Sequence, residues 1–283
     1  MSHSEFGLIG DPVSHSLSPR MYATAFAHLQ IPAAYEAHRV PRGDADGVRR
    51  MMWRLAARGG GNVTVPHKET AAEWLDVRAT AVELTGACNC FWLDEQDRLA
   101  GDNTDVRGFL AAAADLPGLQ LEGGAVLLLG AGGAARAVAV ACASAGVRRL
   151  DVWNRSVGRA ESLVSELGLT GTASVIRQPE SSSEAYDLVV NATSLGLEST
   201  DPLPLILEVG RFRYAFDLVY GPGGTQWTRH ASEAGIFSID GLSMLVHQAV
   251  LCLERWFGEL PDREGVARSM WTEAGITRPS TSH

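Results

Sequence analysis

The stretch Gly130-Ala131-Gly132-Gly133-Ala134-Ala135 follows the apolar run 125–129 and opens the apolar segment 137–143, so it reads as strand, glycine turn and helix. That context makes it a dinucleotide pyrophosphate site: glycine lets the backbone approach the phosphates, and the helix start offers unpaired N–H groups to their charge. About twenty residues on, a second strand at 149–153 ends in Asn154-Arg155-Ser156, where an NAD-binding chain would place an acid for the ribose 2′-hydroxyl. No acid stands there. If a helix begins near Ser156, Arg155 and Arg159 can approach a 2′-phosphate from one side, which favours NADP. Asp151 sits inside the strand, too early for the ribose.

Four polar clusters lie before this half, at strand ends and loops where sites belong in open α/β sheets. In Ser16-Leu17-Ser18-Pro19, hydroxyls two residues apart on an extended chain face one side and, with the helix that follows, can hold a carboxylate. Ser18 before Pro19 also suits a helix N-cap. In Asn62-Val63-Thr64-Val65-Pro66-His67-Lys68, a strand stops at Pro66 and Lys68 is delivered at a helix start, where the dipole disfavours a cation. Such a lysine suits general acid–base work; the alternative is a surface lysine partnered by Glu69. Gly86-Ala87-Cys88-Asn89 is the third cluster, and Gly101-Asp102-Asn103-Thr104-Asp105 the fourth. Asp105 lies just before a connecting helix, at the edge of any cleft between the halves. It could instead be that helix's N-cap, and Asp102 or Thr104 could be caps or turn formers.

The elements that must carry these residues follow two rhythms. From Phe6 to about Gly101, strands at 6–9, 35–40 and 61–65 alternate with helices at 19–29, 44–57 and 68–75. Residues 107–117 read as the connecting helix and 118–124 as a loop, followed by strands near 125–129, 149–153, 187–191, 214–218 and 236–239. From Gly241 the pattern is helical. A polar loop spans 178–184, and a disordered tail is expected from Thr277. The fold class is α/β with two domains: an N-terminal α/β substrate domain (1–106) and a doubly wound, Rossmann-type nucleotide domain (107–241).

Composition bounds the function. The net charge of −9 over 283 residues argues against nucleic acid or an anionic membrane as partner. Met1 to Phe6 shows no secretory pattern, and the glycines and Arg136 of 125–147 interrupt any membrane span, so the cytoplasm is the expectation. The four cysteines lack disulfide-framework or zinc spacing; no metal is expected, and Cys142 and Cys252 read as small buried residues.

With its motifs taken in order, the chain resembles the shikimate dehydrogenase family over almost its whole length. To the clusters above are added Asn191-Ala192-Thr193, Asp217-Leu218-Val219-Tyr220 and the run Gly241-Leu242-Ser243-Met244-Leu245-Val246-His247-Gln248. The resemblance implies reversible NADPH-dependent reduction of 3-dehydroshikimate to shikimate in aromatic amino-acid (chorismate) biosynthesis, by a monomer or homodimer. It implies that C-terminal helices at 242–276 return to the substrate domain. By position, it gives Lys68 and Asp105 as the catalytic pair, and Ser16 and Ser18 as the carboxylate clamp with Tyr220 helping. Thr64, Asn89 and Gln248 become ligands of the ring hydroxyls. Gly130, Ala131, Gly132, Gly133, Ala134, Asn154, Arg155, Ser156, Arg159, Leu218 and Gly241 fall to the cofactor. His67, Cys88, Cys90, Leu197 and Ser243 depart from the family's usual residues, which leaves a quinate or aminoshikimate dehydrogenase as an alternative; Ser18 favours shikimate. A catalytically silent NADP-binding sensor is the alternative of another class, disfavoured because Lys68 and Asp105 are both present.

Overall fold

The computed structural model describes residues 4–179, 185–221 and 223–275. Residues 180–184 of the polar loop, and the tail from Thr277, lie outside the described residues. The chain divides into two compact units, one of residues 1–105 with 246–283 and one of residues 106–245.

The first unit is built on β1 (Ser4–Gly10), β2 (Ala33–Arg39) and β3 (Gly59–Val63), joined by α1 (Ser18–His28) and α2 (Ala45–Ala56). Parallel pairing of β1 with both β2 and β3 is what two helical crossovers produce. The chain then runs through α3 (Lys68–Glu73), β4 (Val77–Arg78), α4 (Thr80–Thr85), β5 (Cys90–Leu93) and β6 (Leu99–Asp102). The sheet order is β2-β1-β3-β5-β6-β4, with β5 antiparallel to both β3 and β6. Strands β4 to β6 went unread in the sequence, because two to four residues are too few to show a period. β3 also ends at Val63, short of the expected Val65, where Thr64 donates its N–H to the Ile9 carbonyl at 2.8 Å.

The second unit begins at Val106, the second residue of α5 (Asp105–Ala113), a helix that starts two residues earlier and ends four sooner than the one read from the sequence. Six parallel strands follow: β7 (Ala125–Leu129), β8 (Arg149–Trp153), β9 (Ala173–Val175), β10 (Tyr186–Asn191), β11 (Phe212–Asp217) and β12 (Phe237–Ile239). Helices α6 (Gly133–Ser144), α7 (Val157–Glu166) and α8 (Gln226–Glu233) make crossovers. The order β12-β11-β10-β7-β8-β9 is the doubly wound one, with its switch point between β7 and β10. Every residue of β7 is buried, as a strand covered on both faces must be. In α6, alanines let the helix lie close to the sheet, and residues 135–142 are all buried.

The boundary between the units falls within α9 (Leu242–Phe257), and α10 (Arg263–Glu273) follows it. Trp256 and Phe257, at the end of α9, pack their rings against Phe6 with centroids 4.6 and 5.5 Å away. α10 is tied to α1 by Arg20–Glu273 (2.6 Å) and His28–Asp262 (3.0 Å). From Val246 on, the C-terminal helices therefore belong to the first unit. Among the described residues, no helix is long and apolar enough to cross a membrane.

Candidate active site

Lys68 is the first residue of α3, and its ammonium meets the Asp105 carboxylate at 2.5 Å. Both side chains are withdrawn from solvent, 14% and 6% exposed, so the attraction is weakly screened. The partner is Asp105 and not Glu69. Its opposite charge offsets the unfavourable dipole at the start of α3. Asp105 does not cap α5 from outside: it is the helix's first residue, and its own N–H is taken by Asn103 Oδ1 at 3.2 Å.

Asn89 is the hub. Its Nδ2 donates to Asp105 Oδ1 (2.9 Å), Thr104 Oγ1 (2.9 Å) and Gln248 Oε1 (3.2 Å), while its Oδ1 accepts from Thr104 N at 2.8 Å. One buried network therefore joins Lys68, Asp105, Asn89 and, from α9, Gln248. Beneath it, Cys252 Sγ lies 3.1 Å from Asn62 Nδ2 and 3.2 Å from Thr104 Oγ1. Asp102 is held by Arg255 Nε at 2.7 Å and takes the Asn103 N–H at 2.7 Å, so it is bound away from the start of α5.

Thr64 and Lys68 leave the carboxyl end of β3; Ser16 and Ser18 leave that of β1, its parallel neighbour. A Cβ at Gly10 would stand 2.4 Å from Thr64 Cγ2, so glycine is what lets the Thr64 methyl settle there. The Thr64 hydroxyl takes no hydrogen bond among the described residues. The serine roles are reversed from the sequence reading. Leu17 is the N-cap, already helical in backbone, and Ser18 is the buried first residue of α1. It is the Ser16 hydroxyl that accepts the Ser18 N–H, at 3.2 Å.

In the nucleotide unit, Gly130 has φ +118°, and a Cβ there would lie 2.7 Å from the Ala192 carbonyl oxygen. Gly132 is the N-cap of α6 without a side-chain cap bond, and a Cβ on it would meet nothing within 4 Å. The first backbone N–H groups of α6, from Gly133 on, have no partner within the helix, and Ala131 completes the turn before them. A pyrophosphate fits there. Ser156 is the N-cap of α7, its hydroxyl making no cap bond, and Asn154 Nδ2 donates to the Ser156 carbonyl at 2.9 Å. Arg155 and Arg159 flank that helix start, both exposed and in no ion pair among the described residues. Asp151 is buried and accepts from Tyr186 Oη at 2.7 Å, which removes it from any ribose. Leu218 and Gly241 cross closely: a Cβ at Gly241 would lie 2.2 Å from the Leu218 carbonyl oxygen. Tyr220, half-buried, follows in the segment after β11.

Three family models match in order: the shikimate dehydrogenase substrate binding domain over residues 8–91, shikimate / quinate 5-dehydrogenase over 111–198, and the shikimate 5′-dehydrogenase C-terminal domain over 241–270. The shikimate dehydrogenase (NADP(+)) of Rubrobacter xylanophilus is 39% identical over 269 residues, covering 93% of this chain and 94% of that protein. The chain belongs to the shikimate dehydrogenase family.

That of Geobacillus kaustophilus is 37% identical over 262 residues, covering 91% of this chain and 94% of the relative. Among solved structures, shikimate 5-dehydrogenase from Thermus thermophilus, in complex with NADP(H) and shikimate, superposes with a TM-score of 0.78 at 37% identity, covering 95% of this chain and 99% of that one. Within the fold of this shikimate dehydrogenase family member, sequence reasoning missed Asn62, Cys252 and Arg255. Each acts through a contact with a residue far along the chain, Asn62 with Cys252 being 190 positions apart. The four cysteines are unpaired and buried. Burial pushes the Cys88 and Cys142 thiols up to about 12, so both stay protonated fillers.

Proposed function

We propose that this chain is an NADP-dependent oxidoreductase that reversibly reduces the ketone of 3-dehydroshikimate to the hydroxyl of shikimate, with Lys68 and Asp105 as its catalytic pair. The observation that carries the reading is the 2.5 Å Lys68–Asp105 contact built into the same buried network as Asn89 and Gln248. NADPH, when bound, supplies the hydride for the carbonyl carbon. Negative charge then grows on the carbonyl oxygen, and the Lys68 ammonium stabilises it by a charge-assisted hydrogen bond and supplies a proton. Asp105 orients the lysine and the neighbouring substrate hydroxyl through its 2.5 Å contact with the ammonium.

Ser16 and Ser18 hold the substrate carboxylate, with Tyr220 as a further donor, and Thr64, Asn89 and Gln248 take ring hydroxyls. Gly130 to Ala134 receive the pyrophosphate, Arg155 and Arg159 with Asn154 and Ser156 the 2′-phosphate end, and Leu218 and Gly241 the rest of the cofactor. The proposal places the enzyme in the cytoplasm, in the route to aromatic amino acids. Its test is the rate of oxidation of shikimate and of quinate, each with NADP+ and NAD+. The expected result is the highest kcat/KM for shikimate with NADP+. Equal use of quinate overturns the substrate, equal use of NAD+ the cofactor, and no turnover with any pair the enzymatic reading itself. Lys68→Ala should lower kcat by roughly two to four orders of magnitude.

A further inference from the structure

The nucleotide unit contains a buried carboxylate that none of these steps uses. Asp217 ends β11 with no exposed surface. Its Oδ1 accepts from Asn191 Nδ2 at 2.8 Å and from Val219 N at 3.1 Å, and its Oδ2 accepts from Thr225 Oγ1 at 2.6 Å. Asn191 ends the adjacent parallel strand β10 and carries the network onward. Its Oδ1 takes the Thr193 N–H (3.1 Å) and hydroxyl (2.7 Å), and the Thr193 hydroxyl in turn takes the Leu195 N–H at 3.1 Å. Asn191 Nδ2 also reaches the Leu195 carbonyl at 3.1 Å. One carboxylate thereby fixes the loop leaving β10 to the loop leaving β11. Gly241 N, donating to the Val219 carbonyl at 3.0 Å, ties a third segment to them.

Strand order gives these loops a role. β8 lies on one side of β7, and β10 and β11 lie on the other. A dinucleotide with its 2′-phosphate at Arg155 beyond β8, and its pyrophosphate at the start of α6 beyond β7, lays its remaining half over the carboxyl ends of β10 and β11. We infer that Asp217, through Asn191, is a positioning residue for the nicotinamide half of NADP, holding Leu218 and the 192–197 loop where that half must rest. The inference rests on the NADP reading above. Asp217 acts through other residues, since it is enclosed and its oxygens are engaged with protein donors. Burial pushes its carboxyl up to about 6, with the nearby Asp240 acting in the same direction. A buried charge is a costly way to fill space, so what it contributes is the fixing of three donors, one at the end of β10 and two along the segment after β11.

The experiment is calorimetric titration of wild-type protein, Asp217→Asn and Thr193→Val with NADP+ and with 2′,5′-ADP, which lacks the nicotinamide half. Asp217→Asn keeps the shape but turns one acceptor into a donor. It should weaken NADP+ binding by about 10- to 100-fold, the worth of one charge-assisted hydrogen bond, and leave 2′,5′-ADP binding within about twofold. Thr193→Val, at a half-buried position less critical to folding, should show the same selective loss at smaller amplitude, and it decides the matter if Asp217→Asn does not fold. Unchanged NADP+ binding in the variants, or equal weakening of both ligands, overturns the inference alone. A wild-type protein that binds no 2′,5′-ADP overturns the NADP reading, and the inference with it.

Discussion

Asp105→Asn isolates the contact between Lys68 and Asp105, the two groups proposed as the catalytic pair. The substitution preserves volume, so the outcome depends on which hydrogen bonds an amide can replace. Asn89 cannot turn over to meet it, because its Oδ1 is held by the Thr104 N–H at 2.8 Å. The new amide must therefore present its oxygen to Asn89 Nδ2 and its NH2 to Lys68. The bond to Asn89 survives, while the 2.5 Å contact with the ammonium becomes a donor facing a cation. A charge-assisted hydrogen bond lost in a largely buried place is worth about 1.5–3 kcal/mol. Turnover should fall by roughly two to three orders of magnitude, since Lys68 loses the group that orients it. The KM for shikimate should change much less, because Asn89 and Gln248 keep their places. The melting temperature should drop by several degrees, at about 2–4 °C per kcal/mol for a chain near this size. Steady-state shikimate oxidation at saturating NADP+, beside thermal unfolding, measures all three. A variant within threefold of wild-type kcat, or one impaired only in KM, would refute the orienting role of Asp105.

Replacing Arg155 by Glu should weaken NADP+ binding by about 1.5–3 kcal/mol or more and NAD+ binding far less, as titration of both cofactors would show; equal losses would remove Arg155 from the 2′-phosphate. Because the Ser16 hydroxyl, not that of Ser18, holds the backbone at the start of α1, Ser16→Ala should lower stability by about 0.5–1 kcal/mol as well as raise the KM for shikimate. Ser18→Ala should raise KM with little loss of stability, and the opposite pattern in paired kinetics and melts would restore Ser18 as the cap. Asp217 has a folded-state value of about 6, above its ordinary 3.8, so its contribution to stability is present at low pH and lost as pH rises through 6. Between pH 7.5 and pH 5 the wild-type protein should gain roughly 1–1.5 kcal/mol relative to Asp217→Asn, and parallel melting curves across that range would contradict the assignment.

What the sequence made legible tracks how local each signal is. β7 was readable because both faces are covered, which makes 125–129 a continuous apolar run with a glycine turn after it; β8 carries Arg149 and Asp151 and was readable from Leu150, Val152 and Trp153 between the preceding helix and the polar turn at Asn154. β5 escaped because it is four residues long, and its pairing with β3 and β6 is a tertiary fact with no period to announce it. At the site, Lys68 was visible as a cation at a helix start, while its partner lies 37 residues on. Ser18 was misplaced as the cap for a local reason: Ser before Pro suits that position, but Leu17 already has helical angles, which moves the free backbone N–H onto Ser18 and the accepting hydroxyl onto Ser16. Cys252 was read as filler, and it is buried as filler should be; its thiol nonetheless lies against Asn62 and Thr104, a role that only the return of α9 creates.

The hydrogen-bond inventory divides the labour among the groups proposed to hold the substrate ring. Asn89 Nδ2 has two hydrogens and three acceptors within 3.2 Å, so its donating capacity is spent before any ligand arrives. A side chain in that position chiefly holds others: Asp105 on one side, Gln248 on another, and Thr104 below. Thr64 is the converse, its methyl packed over Gly10 and its hydroxyl without a protein partner among the described residues. An unspent hydroxyl costs least to turn toward a new partner, and a spent amide costs most. In the proposed site the ring hydroxyls would meet polar groups held in place before binding, with Thr64 offering uncommitted capacity and Asn89, which also holds Asp105, taking a hydroxyl only in exchange for one of its present partners. Such preorganisation is what the reaction requires, because the charge on the reducing ketone develops faster than buried side chains could rearrange to receive it.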